Sequence, residues 1–318
     1  MADIVSDIEI AAQYLRLNEV VGVPTETVYG LAGNAYSEEA VMKIFEVKNR
    51  PAFDPLIVHI ASSDRLSSVV SQIPEEYYEL MEHFWPGPLT LLFDRSDLIP
   101  DCVTSGLPKV AVRCPAHPMF LSLLSSLDFP LAAPSANPFG YISPTQAQHV
   151  LDQLGNRIPC VLEGGNCEVG VESTILDYHE GVWSILRLGG ISVEEIEKVI
   201  GTSVVVRSSS SRPEAPGMLE QHYSPKTKLW LGNIAEGVEK WGSENNVILT
   251  LRPNKQFAQN IFLSAQGDLK EAAKNLFRCL RELDNQHFDW IIAELMPEEG
   301  LGRAMNDRLR RASIKSFS

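Results

Sequence analysis

Short apolar runs recur along the first two hundred residues, at 20–23, 56–60, 89–93, 110–112, 131–133 and 174–176. Each is too short for a helix and rich in aliphatic side chains, so each predicts a buried strand. Between them the apolar spacing switches to the helical period. Ala147, Val150, Leu151 and Leu154 fall on one face of such a helix. Ser6 with Glu9, Thr145 with Gln148 and Ser192 with Glu195 have the spacing of capping boxes and predict helix starts. A further strand is expected just before Arg187. Strands alternating with helices predict an α/β domain with helices packed on a twisted sheet.

After residue 200 the alternation returns in miniature. Strands are predicted at 228–231, 247–251 and 290–293, with a long helix after Gly267 and another from near Gly302. What separates the two parts is a serine run at 208–211 followed by RPEAPG at 212–217. Serine and proline runs cannot build a core, so they read as a linker. The expected division is a catalytic-sized domain at 1–205, a linker or lid at 206–226, and a smaller α/β, Rossmann-like domain at 227–318. A chain of 318 residues suits two domains.

Charge changes the picture more than composition does. Apolar residues are 44% of the chain and charged residues 21%, ordinary for a globular protein. No run approaches the roughly 18 apolar residues of a membrane span. The start, with Asp3 after Met1 and Ala2, lacks the basic and apolar regions of a secretory signal, so a cytoplasmic protein is expected. Cys102, Cys114, Cys160, Cys167 and Cys279 form no C-x-x-C pair and read as free thiols, not metal ligands. The net charge of −14 is uneven: residues 1–200 carry 11 basic and 27 acidic side chains, and residues 201–318 carry 16 and 14. A first domain at −16 is a poor general nucleic-acid binder, so any polyanion it takes must sit on a few placed cations.

Five segments offer such placement. Residues 24–31, PTETVYGL, follow a predicted strand, where hydroxyls and amides hold a small polar ligand or simply close a turn. Lys48 and Arg50 end a helix, where the dipole favours cations, and lead through Pro51, Asp54 and Pro55 into the strand that carries His59. Two fixed cations in an acidic domain suit a triphosphate. A lone histidine on an apolar strand reads first as a core residue. Arg113 closes an apolar run and needs a partner, either an internal carboxylate or the carboxylate of a substrate. Residues 132–137, AAPSAN, let a ligand approach the backbone, and Ser143 to Thr145 open a helix whose N-terminus suits phosphate oxygens. The last segment pairs GVEST at 170–174 with Arg187 and Gly189.

Together these segments resemble the YrdC family of threonylcarbamoyl-AMP synthases. PTETVYGL, K-x-R-P leading to PLIVHI, WPGPLT at 85–90, VAVR-x-P, APSAN leading to SPT, GVEST and R-x-G occur in the family's order. PGM at 216–218, HYSP at 222–225 and LGRAMNDRL at 301–309 resemble its long, two-domain form. The resemblance implies an open, mixed, twisted sheet with a concave site. It implies L-threonine, bicarbonate or CO2, and ATP as substrates, with Mg²⁺ carried mainly on the phosphates of ATP and no protein metal site. The product would pass to the tRNA threonylcarbamoyl-transferase machinery. Residue by residue, it implies that Thr27, His59, Arg113, Ala133 and Ser173 hold threonine. Lys48, Arg50, Asp54, Lys109, Ser135, Ser143, Arg187 and Tyr223 would surround ATP, with Lys48 and Arg50 as the catalytic cations. Asp54 stands where the family commonly has asparagine, and Lys109 where it has threonine or serine.

Two competing readings remain at this level: an enzyme of the same fold acting on another carbamate, and an RNA-binding module. The second draws on Arg303, Arg308, Arg310, Arg311 and Lys315, a basic end that would touch tRNA or double-stranded RNA. Two further expectations follow. Residues 216–225 form a lid through Tyr223, and Arg113→Ala removes threonine binding with little loss of stability.

Overall fold

Eleven strands of the first domain join one sheet. In chain order they are β1 (Asp3–Val5), β2 (Val21–Val23), β3 (Gly30–Asn34), β4 (Ile57–His59), β5 (Leu89–Asp94), β6 (Lys109–Arg113), β7 (Leu131–Ala132), β8 (Cys160–Leu162), β9 (Thr174–His179), β10 (Val182–Arg187) and β11 (Val205–Val206). Their order across the sheet is β1-β8-β2-β3-β7-β4-β6-β5-β9-β10-β11. The computed structural model describes residues 1–207, 215, 223–242, 244–257 and 259–313. The sheet is mixed: β4 and β6 run parallel, as do β5 and β9, while β5 and β6 are antiparallel. Every strand expected from an apolar run is present. β1, β3, β8 and β11 were not foreseen from the pattern. β3 reads GLAGN and has too few branched side chains to announce a strand.

Helix starts are less faithful to the expected caps. Ser192 and Glu195 form the capping box. The first helix, Ile8–Arg16, is instead capped by Asp7, whose carboxylate accepts from the Glu9 amide. Gln146 precedes the helix Ala147–Leu154 without a side-chain cap. Thr145 lies one residue before the cap position, and its hydroxyl makes no capping hydrogen bond, while its amide donates to His149 Nδ1 and its carbonyl accepts from Cys167.

The second domain is a four-stranded parallel sheet. Its strands are β12 (Lys228–Leu231), β13 (Asn246–Thr250), β14 (Asn260–Phe262) and β15 (Trp290–Ala293), in the order β12-β15-β13-β14. A long helix, Leu269–Asp284, starts on an Asp268 cap, and a later helix spans Gly302–Ala312. Both helices face the first domain. Val28, Ile142 and Val171 of that domain share one apolar cluster with Leu276, Phe277, Met305 and Leu309. Contact is close enough that a Cβ on Gly170 would lie 2.4 Å from Lys274 Cα, at a left-handed φ of +78°. Joint burial of these side chains gives the two domains a shared apolar cluster at their interface.

Candidate functional site

Strand register brings the candidate residues together. β4 and β6 end side by side, with His59 opposite Arg113, and Thr90 of β5 lies on the other flank of Arg113. The loops leaving these ends and the turn at 25–28 enclose a cleft. Thr27, His59, Arg113, Ala133 and Ser173 line it, and so do Arg50, Ser135, Arg187 and Tyr223. Thr25 shapes the turn: its hydroxyl accepts from the Thr27 and Val28 amides and donates to the Val28 carbonyl.

Arg113 is buried and triply engaged. It donates to the Gly87 carbonyl at 3.2 Å, to Thr27 Oγ1 at 2.9 Å and to Glu26 Oε1 at 2.6 Å. Arg113 thus has the internal carboxylate as its partner and lines the cleft as well. Glu26 Oε2 is buried without a hydrogen-bond partner, and Arg113 is the cation beside this carboxylate. Arg187 donates to the Ser173 carbonyl and, at 2.9 Å, to Ser173 Oγ, which also meets Thr90 Oγ1 at 2.7 Å. Burial lowers the Arg187 pKa to about 10, still leaving it cationic at neutral pH. Arg50 is fixed by the Asp54 and Pro55 carbonyls and by the Asp54 carboxylate at 2.9 Å. Burial, with the Arg113 charge as a smaller cause, drops the His59 pKa to about 3. His59 is therefore a neutral imidazole beside a cation, suited to hydrogen bonding and not to carrying charge.

Lys48, Asp54, Ser143 and Lys109 do not line the cleft. The Lys48 ammonium lies behind it, donating at 2.5 Å to the carbonyls of Ser135 and Asn137. Burial, and then the Arg50 charge, holds its pKa well below the ordinary lysine value. Lys48 shapes the Ser135 loop instead of reaching into the cleft. Asp54 is committed to Arg50. Ser143 donates its hydroxyl to Glu172 Oε1 at 2.5 Å. Lys109 lies at the opposite end of β6, roughly 13 Å of strand from Arg113, and donates to Asp177 at 2.6 Å. It lines a separate surface hollow with Tyr77 and Arg207, so the ATP contact expected of it finds no support in its position.

Of the expected lid, residues 216–222 lie outside the described residues. Tyr223 is buried, with φ at 67°. It stacks on Phe277 at 5.7 Å and lies beneath the Arg308 guanidinium at 4.8 Å. It closes one wall of the cleft as a wedge between domains. The basic end proposed to touch RNA is largely spent on internal pairs: Arg303 with Glu194, Arg310 with Glu298, and Arg311 with Asp307. Lys315 lies outside the described residues.

The family model for Sua5, YciO and YrdC proteins, described as telomere recombination, matches residues 13–189. A second model, described as the C-terminal domain of threonylcarbamoyl-AMP synthase, matches residues 191–313. A threonylcarbamoyl-AMP synthase of Pyrococcus abyssi is 43% identical, over 96% of this chain and 94% of its own. The chain belongs to the threonylcarbamoyl-AMP synthase family, in its two-domain form. A Bacillus subtilis synthase is 40% identical over 95% of this chain and 92% of its own. The crystal structure of P. abyssi Sua5 complexed with L-threonine matches with a TM-score of 0.90 at 41% identity, over 96% of this chain and 94% of that one. Escherichia coli YciO, at 19% identity and a TM-score of 0.51, shares the fold of the first domain.

Against that family background, the cleft contains a carboxylate to which the sequence assigned no role. Glu172, the third residue of GVEST, lines the cleft. Its Oε2 accepts from Arg308 Nε at 2.8 Å, across 136 positions of chain. Arg281 of the long helix likewise crosses between domains, donating to the Ile142 and Ser143 carbonyls. Neither partnership has a local signature, because only the tertiary fold brings these segments together.

Proposed function

We propose that this chain is a threonylcarbamoyl-AMP synthase: it joins L-threonine, bicarbonate or CO2, and ATP, and releases pyrophosphate. The threonine amine first adds to CO2 with loss of a proton, or to bicarbonate with loss of water, to give N-carboxy-threonine. A carbamate oxygen then forms a bond to the α-phosphorus of ATP while the bond from that phosphorus to the pyrophosphate oxygen breaks. No covalent enzyme intermediate is required. The protein aligns two anions and offsets the charge that grows on the leaving group.

The observation that carries this reading is Arg113, held by Gly87, Thr27 and Glu26 at the floor of a cleft it shares with Arg50 and Arg187. Arg113 and Thr27 would hold the threonine carboxylate, with His59, Ala133 and Ser173 around the rest of the amino acid. Arg50, Arg187, Ser135 and Tyr223 would face the nucleotide. Lys48 would act on it indirectly, by holding the Ser135 loop. Among the described residues no cluster of three or more His, Cys, Asp or Glu is arranged to hold a metal. Mg²⁺ would be carried mainly on the phosphates of ATP. Among the described residues no helix is long and apolar enough to cross a membrane. A cytoplasmic enzyme feeding N6-threonylcarbamoyladenosine formation in tRNA is the reading that the likeness to threonylcarbamoyl-AMP synthases supports.

The test is pyrophosphate release from ATP with each amino acid in turn. Release that requires both L-threonine and bicarbonate is expected. Equal release with serine, valine or no amino acid would replace this reading with a different carbamate chemistry.

A further inference from the structure

Glu172 presents a problem the catalytic domain does not solve alone. It is a buried carboxylate lining a cleft whose proposed ligands are anions. An uncancelled negative charge there would repel a triphosphate across several ångströms of low-dielectric interior. Arg187 of the same domain is a smaller source of compensating charge, and the larger one comes from the other domain, where Arg308 also pairs with Asp307 at 2.6 Å and Asp307 in turn with Arg311. Arg308, on the helix Gly302–Ala312, is fully buried. Its Nε reaches Glu172 Oε2 at 2.8 Å and another of its nitrogens donates at 2.8 Å to the Leu188 carbonyl, next to Arg187. Its plane covers Tyr223. The other oxygen of Glu172 accepts from Ser143. One guanidinium thus ties together the GVEST segment, the Arg187 segment and Tyr223, and through Glu172 it also reaches Ser143.

We propose that Arg308 is a positioning residue for the nucleotide side of the cleft, cancelling the charge of Glu172 and fixing the three segments around it, so that the C-terminal domain completes the site. The identity of the nucleotide rests on the synthase reading; the charge relation between the two residues does not. A purely packing role predicts that any loss of Arg308 is equally harmful whatever stands at 172. Charge cancellation predicts that removing the carboxylate rescues the loss of the cation.

The experiment is calorimetric titration of the full chain with α,β-methylene-ATP, using Arg308→Gln, Arg308→Lys, Glu172→Gln and the Arg308→Gln/Glu172→Gln pair. Arg308→Gln should weaken the analogue about tenfold or more at pH 7.5. L-threonine binding, which Arg113 and Thr27 would carry, should change much less. The double variant should recover most of the lost affinity, and Arg308→Lys should fall between. Analogue binding by Arg308→Gln should also improve as the pH is lowered and Glu172 takes up a proton. Unchanged affinity in Arg308→Gln, or a double variant as weak as the single, overturns the proposal and makes the pair interdomain packing. Should Arg308→Gln fail to fold, the double variant decides: affinity within about threefold of wild type supports cancellation, and a loss of about tenfold overturns it. Threonine-dependent pyrophosphate release by the wild type, measured in parallel, tests the synthase reading separately.

Discussion

Arg113 and Lys109 stand on the same face of the same strand, and the fold gives them opposite tasks. Three residues of β6 separate them, with Ala111 on that face in one apolar cluster with Ile57, Leu92, Ile175 and Ala215. At one end, the neighbours of Arg113 are a carbonyl, a hydroxyl and a carboxylate arranged around a cleft. At the other end, Lys109 meets Asp177 beside a surface hollow. A cation at a strand end therefore acquires its function from what the adjacent strands and loops bring to that end. Charge and alternation alone do not distinguish the two.

The largest effect should come from the Arg113 end. Arg113→Ala should abolish measurable threonine binding, since a charge-assisted clamp is worth roughly 1.5–3 kcal/mol or more. It should also cost stability, on the order of 3–5 kcal/mol, because Glu26 would be left as a buried unpaired charge. This corrects the expectation that the substitution spares the fold. Threonine titration and urea unfolding of the same sample check both parts. Retained threonine affinity would make Arg113 a structural residue only.

Lys48→Ala comes next. It strands the carbonyls of Ser135 and Asn137, at about 1–3 kcal/mol for an unsatisfied buried group, and should weaken ATP through the displaced Ser135 loop. If stability falls while nucleotide affinity holds, Lys48 supports the fold without serving the site.

A pH experiment isolates His59. Its folded pKa, about 3, lies below the ordinary value of 6.5. The unfolded chain thus takes up a proton below pH 6.5 that the folded protein refuses. Stability from this group is complete above that pH and is lost as pH falls, by about 1.4 kcal/mol per unit. The gap in unfolding free energy between wild type and His59→Gln should therefore shrink from pH 7 to pH 5. A constant gap would mean that His59 does titrate normally in the folded protein.

The smallest effect belongs to Lys109→Ala. Asp177 is buried but the Lys109 end of the ion pair is partly exposed, so stability should change by only about 1 kcal/mol and the KM for ATP should stay at the wild-type value. A raised KM would return Lys109 to the nucleotide site and break the contrast between the strand's two ends.

These contrasts mark how far the sequence could be read. Apolar runs located β2, β4, β5, β6, β7 and β9 because buried strands leave a local hydrophobic signal. β3 left little, being glycine-rich. Motif order pointed to Arg50, Arg113, Ser135, Ser173 and Arg187, which do meet in one cleft. Lys109 was placed near ATP because position along a motif does not reveal which end of a strand opens onto the site. Arg308 read as one cation of a basic surface, yet it is the most deeply committed of that group, since its partner lies on a loop of the other domain. Long-range pairs of this kind have no spacing to detect.

The most direct test of the central claim is mass-spectrometric detection of threonylcarbamoyl-AMP. The purified chain is incubated with L-threonine, bicarbonate and ATP, and then with each omitted in turn, beside Arg113→Ala. The account predicts product only in the complete mixture with the wild-type chain, and none above background from Arg113→Ala. Product formed equally well by folded Arg113→Ala, or adenylate formed without threonine, would contradict it.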